Sequence, residues 1–211
     1  MRTIITAALF VSFVCTGFAQ SQSELQKRID RLEERVAKLE AAIGKQEFRQ
    51  EAAETKEQIA AGERAKAKAR MRKDLEVYAA DDLRQIERLY QVANKEWRSE
   101  EGKKSLKELI ARYDKANRTG CALLYLGQMT KGDEQIDYLT QAIRSYGDCY
   151  YGDGAQVGAY ARFFLAWRYK QEGKADKAKA LFDEVTTLFP NAIDHRGNLF
   201  SEIIAKENKS R

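Results

Sequence analysis

LAWRYKQEGKADKAKALFDEVTTLFPN, residues 165–191, decides how the chain is read. Apolar residues recur at Leu165, Ala166 and Tyr169, then at Ala178, Phe182, Val185 and Phe189. That three-and-four spacing belongs to amphipathic helices. Gly173 separates the two runs and Pro190 follows the second, where a helix turns back and where one stops. The stretch predicts two antiparallel helices joined by a tight turn. One hairpin cannot bury its own apolar face, so the fold depends on whether the unit repeats.

Its second helix has two counterparts upstream. LKELIARYD places Leu106, Leu109 and Tyr113; LTQAIRSYG places Leu139, Ala142 and Tyr146; FDEVTTLFP places Phe182, Val185 and Phe189. Each is followed by a stop residue, Asp114, Gly147 or Pro190, and the offsets are 33 and 43 residues. A helix of fixed face recurring at such a period is the signature of a stacked helical array. Ahead of these, Leu83, Ile86, Leu89, Tyr90, Ala93 and Trp97 line one helical face. A plain three-hairpin bundle is the competing arrangement.

The last unit resembles a tetratricopeptide repeat (TPR), a helix–turn–helix of about 34 residues. Leu165, Ala166, Tyr169, Gly173, Ala178, Phe182, Val185 and Pro190 stand at its spacing; Arg162 stands where the pattern prefers Trp, and Val185 where it prefers Ala. A middle unit offers Leu126-Gly127, a turn at Gly132-Asp133, then Leu139 and Ala142. The resemblance implies small residues (Ala166, Gly127, Ala178) where helices approach closely. It also implies a groove lined by the first helix of each hairpin. Carried over by position, the partner-binding residues are Tyr160, Phe163, Trp167 and Lys170 in the last unit, and Leu124 and Gln128 in the middle one. An aromatic groove with a basic rim suits a peptide partner; ordinary core packing of Phe163 and Trp167 is the alternative.

The N-terminal part reads differently. MRTIITAALFVSFVCTGFAQ has one basic residue, Arg2, an apolar run over 4–14, and small residues at Gly17 and Ala19. This predicts a signal peptide over 1–19, hence export, most simply to a periplasm, with no stable membrane insertion after cleavage. Bulky Val14 before Cys15 argues against lipidation. Over 20–46, Leu25, Ile29, Leu32, Val36, Leu39 and Ile43 run at spacings of 4, 3, 4, 3 and 4. That is a heptad seam with β-branched residues at a and Leu at d, flanked by Arg28 and Arg35 at g and Glu33 and Glu40 at e. It predicts a parallel coiled coil and a homo-oligomer. The a/d choice favours a dimer, whereas RIDRLE and RVAKLE resemble an arginine–glutamate pattern of parallel trimers.

Over 47–80 the seam disappears. The segment is acidic first (Glu47, Glu51, Glu54, Glu57) and then basic at Arg64, Lys66, Lys68, Arg70, Arg72 and Lys73. A solvated helical linker, rising about 1.5 Å per residue, is the plain expectation. The alternative is a structural spacer or a binder of cell wall or an anionic surface. The array itself is assigned to 81–211.

Other features exclude more than they suggest. The 211-residue chain carries a formal net charge of +5, short of a nucleic-acid footprint. Cys121 and Cys149 sit at neighbouring ends of one hairpin, and a disulfide between them is expected in an oxidising compartment. YYGDGAQVG lacks the strand that a dinucleotide fingerprint needs, which leaves a loop with Asp153 as a cap. His195 is the only histidine and has no visible partner. Asn117 and Asn208 begin glycosylation sequons. No catalytic residues, metal ligands or cofactor are expected.

The expected fold is therefore all-α: a coiled-coil helix, a long charged helix, and TPR-like hairpins. This order resembles a family of bacterial periplasmic proteins that includes the coordinator of cell division and the Tol–Pal system. The resemblance implies a non-enzymatic scaffold that trimerises by its coiled coil and binds envelope partners through its repeats.

Overall fold

The structure is a computed structural model. It describes residues 3–209, with the side chains of 27, 28, 30–46, 52, 53 and 55–207. The chain is all-α, with no β-strand among the described residues. The helices are α1 (Thr3–Val77), α2 (Ala80–Lys95), α3 (Glu100–Arg112), α4 (Asn117–Met129), α5 (Gly132–Ser145), α6 (Val157–Gln171), α7 (Ala175–Leu188) and α8 (Phe200–Lys209). Two compact units divide it, residues 1–54 and 55–211.

In the first unit every described side chain is exposed. Leu32, Val36, Leu39 and Ile43 are 56%, 51%, 61% and 55% exposed. Leu25, Ile29 and the expected signal peptide lie outside the described side chains.

In the second unit α2/α3, α4/α5 and α6/α7 are successive hairpins, each packed on the next. Gly173, at φ 73°, makes the turn between α6 and α7. The periodic residues face inward as the spacing predicts: Leu106, Leu109, Leu139, Ala142 and Val185 are fully buried. Each buried leucine contributes about 1.5–3 kcal/mol by leaving water. Gly127 lets α4 meet α5, since a Cβ there would lie 2.6 Å from the Leu139 side chain. The first helices also touch one another, α2 with α4 and α4 with α6, so they form the inner side of the row. The ten-residue α8, unpredicted from the sequence, closes the row by setting Phe200 against Tyr160 and Phe163.

The boundary expected at residue 81 is corrected: the second unit begins at Thr55. The last part of α1 crosses the loops between hairpins through a buried stripe of Ala60, Glu63, Ala67 and Asp74. Arg70 lies within this stripe. It donates to Asp74 at 2.8 Å, to Asp148 at 3.2 Å and to the Lys115 carbonyl at 3.2 Å. Tyr78 Oη accepts the Lys115 N–H at 3.0 Å. The Asp74 carboxylate accepts the Asn117 N–H at 2.9 Å. Ala116, the N-cap of α4, has no side-chain acceptor. A carboxylate from α1 therefore caps α4, at the helix end where negative charge is favoured. Lys56 reaches α8 through Glu202 at 2.8 Å. Segment 55–77 is thus a docked strap, in place of the expected solvated linker.

Candidate binding site

Local packing on the inner side brings aromatic rings from separate elements into one row. Trp97, just past α2, lies 5.1 Å from Tyr125 of α4. Tyr125 lies 6.2 Å from Tyr151 in the α5–α6 loop, and Tyr151 lies 4.7 Å from His195 in the α7–α8 loop. His195 lies 5.0 Å from Tyr160, which stacks on Phe164 of α6 at 5.3 Å. Edge-to-face and offset contacts at these separations are favourable in their own right. Trp97 is 43% exposed, and Arg98 stacks over it at 5.5 Å. Arg98 has φ 66°, the one left-handed non-glycine residue among those described. Such a conformation presents the Trp97–Arg98 pair at a sharp corner.

Hydrogen bonds fix the row. Tyr125 Oη donates to Asn94 Oδ1 at 2.9 Å, and Tyr151 Oη donates to the Cys121 carbonyl at 3.2 Å. His195 Nδ1 and Asp153 Oδ2 are 2.7 Å apart. Burial works against the Asp153 carboxylate, but the bonds from His195 and from the Ala155 N–H outweigh it and hold its pKa below the usual value. Burial pushes Tyr160 up to about 12 and Tyr151 well above the ordinary phenol range. Both phenols are therefore protonated at neutral pH, while the Asp153 carboxylate is ionised.

The residues expected to bind a partner divide between the row and the core. Tyr160 belongs to the row. Phe163 packs against Phe164, Trp167, Phe182 and Phe200. Trp167 is half-buried against Phe182, with Lys170 over its ring at 4.4 Å. Lys170 pairs with Glu207 of α8 at 2.5 Å, so α8 draws a cover across this end of α6. Gln128 is half-buried. Leu124 is a correction, since it is fully buried between hairpins; its neighbour Tyr125 takes the ring position. Trp97, Tyr125 and His195 present accessible surface in the row without having been singled out for a partner in the sequence, and Tyr151 lies buried within it. A signal for Tyr125 was its place one residue beyond Leu124; nothing in the sequence linked His195 to Asp153, 42 residues away.

The disulfide expectation is also corrected: Cys121 and Cys149 are free, buried thiols. Cys121 Sγ points to the Tyr150 carbonyl at 3.4 Å. Cys149 packs on Gly120, with Arg70 Nη2 at 3.6 Å. Each sulfur is thus held by its own polar contact. Burial raises both thiols, Cys149 to about 12 despite the opposing Arg70 charge. Asn117 is buried, exchanging hydrogen bonds with Tyr150 at 2.7 and 2.8 Å, so its sequon is closed in the folded chain. Asn208 lies outside the described side chains. Asp153 does not cap α6, whose N-cap is Gln156.

Among the described residues there is no cluster of metal-binding side chains, and no helix is long and apolar enough to cross a membrane. Comparison with known proteins found no matching family model, no matching curated protein and no matching solved structure.

Proposed function

We propose that this chain is a non-enzymatic, exported scaffold. It self-associates through the heptad helix and binds a protein partner through TPR-like hairpins, in cell-envelope organisation or division. The observation that carries this reading is the exposed 4-3-4 seam of Leu32, Val36, Leu39 and Ile43. Four large apolar side chains in one stripe need a partner helix to leave water. The array supports the binding half. Three hairpins and a closing helix, with first helices inward and Gly127 at a close helix contact, are what a TPR-like stack requires. The aromatic row is the face on which an extended or helical peptide would lie. Export rests on residues 1–19 of the sequence alone.

Sedimentation velocity on residues 20–211 tests the self-association half. The unaltered chain sediments as a dimer or trimer, and Leu32→Asp/Leu39→Asp as a monomer with an unchanged melting temperature. A monomer from the unaltered chain at micromolar concentration removes the scaffold reading. Trp97→Ala and Tyr125→Ala then test the row, by loss of partner capture from envelope extract without loss of self-association.

A further inference from the structure

Six basic residues crowd the segment 64–73, and the structure treats them unequally. Arg70 turns inward to Asp74 and Asp148. Lys66 pairs with the buried Glu63, and Arg64 with Glu57. Lys68, Arg72 and Lys73 are exposed and form no ion pair or side-chain hydrogen bond among the described residues. Lys68, Arg72 and Leu75, spaced by 4 and 3, share one stripe of α1. Leu75 is 66% exposed, and Val77 is 51% exposed beyond it. Ala61, Ala65 and Ala69, all exposed, lie beside the stripe, and Arg64 and Glu76 flank it as long side chains whose heads can swing outward. Glu76 is the one exposed acidic residue from 64 to 77.

We propose that this outward face of the strap docks on an anionic phospholipid surface. Lys68 and Arg72 on the stripe, with Lys73 about 100° to its side where its long stem can still reach the surface, match anionic headgroups, which attract basic segments close to a bilayer. Leu75 selects lipid over a soluble polyanion. A polyanion gains nothing by covering a leucine, whereas the headgroup–acyl boundary buries it while the lysine and arginine stems reach outward. The surface lies opposite the stripe that docks on the hairpin loops, so the array can stay assembled while the face is occupied. This inference is independent of the aromatic row and of self-association.

The test is co-sedimentation of residues 20–211 with phosphatidylcholine vesicles, with and without phosphatidylglycerol. This span keeps the compact unit and removes the apolar run 4–14, which would itself partition into lipid. Binding is expected only to the anionic vesicles, and to fall as salt rises. Lys68→Glu/Arg72→Glu/Lys73→Glu is expected to lose at least about tenfold in vesicle affinity. Leu75→Ser is expected to lose about threefold, with circular dichroism melting and sedimentation unchanged in both variants. Absence of binding, equal binding to uncharged vesicles, or full binding by Leu75→Ser would each overturn the proposal. So would retention on soluble polyglutamate with vesicles ignored, which would reassign the face to an acidic protein.

Discussion

Gly154→Ala probes the docking of the strap. Gly154 has φ 99°, and a Cβ there would lie 2.9 Å from the Arg64 nitrogen and 3.0 Å from the Glu63 carbonyl carbon of α1. The left-handed backbone alone costs an L-residue about 1–2 kcal/mol. Forcing a methyl group against helix backbone adds about 1–3 kcal/mol. Gly173→Ala is the matched control, because φ is 73° and nothing lies within 4 Å of its Cβ. The difference between the two variants therefore isolates the contact with α1. A chain of this size loses about 2–4 °C of melting temperature per kcal/mol. Gly154→Ala is thus expected to melt about 2–12 °C below Gly173→Ala. If the strap lifts before the hairpins unfold, trypsin cleaves first within Arg64–Lys73, and does so faster in Gly154→Ala. Equal melting temperatures with equal cleavage in that segment would refute the docked strap.

Asp74→Ala removes the cap on α4 and leaves Arg70 with Asp148 and the Lys115 carbonyl as partners; loss of the cap and of one charged hydrogen bond costs about 2–4 kcal/mol, and urea denaturation measures it. In residues 20–211, which lack Cys15, both thiols should resist a thiol reagent in the native protein and both should react after unfolding without reductant, because Cys121 and Cys149 are free and buried. The folded-state pKa of Asp153 is depressed, so its contribution is present above the unfolded carboxylate value and is lost as pH falls through the lower folded value. The melting-temperature gap between the unaltered chain and Asp153→Asn should therefore be open at pH 7 and close in acid.

Much of the array was legible because apolar periodicity and burial agree in it. Leu106, Leu109, Leu139 and Val185 are in the core at the predicted spacing, and Gly173 is the predicted turn. The strap was illegible for the same reason. Its buried stripe is Ala60, Glu63, Ala67, Arg70 and Asp74, small or charged residues whose burial depends on partners far along the chain. A hydropathy pattern cannot register a carboxylate that caps a helix 43 residues away. Of the residues assigned to a partner from the sequence, Tyr160 stands in the aromatic row and Trp167 packs against Phe182 outside it, while the carried-over register places Leu124 outside, where packing between hairpins buries it. α8 reshaped the rest, since Phe200 covers Phe163 and Glu207 holds Lys170.

Self-association through the seam is tested most directly by cross-linking. Leu39→Cys places one thiol at a core position of the heptad, while Cys121 and Cys149 stay buried; Lys38→Cys places one on the exposed flank. Under mild oxidation, residues 20–211 carrying Leu39→Cys should form a covalent dimer within minutes, and Lys38→Cys should form little. Such a result requires two copies side by side, parallel and in register. No cross-link from Leu39→Cys, or equal cross-linking from both positions, would contradict the account.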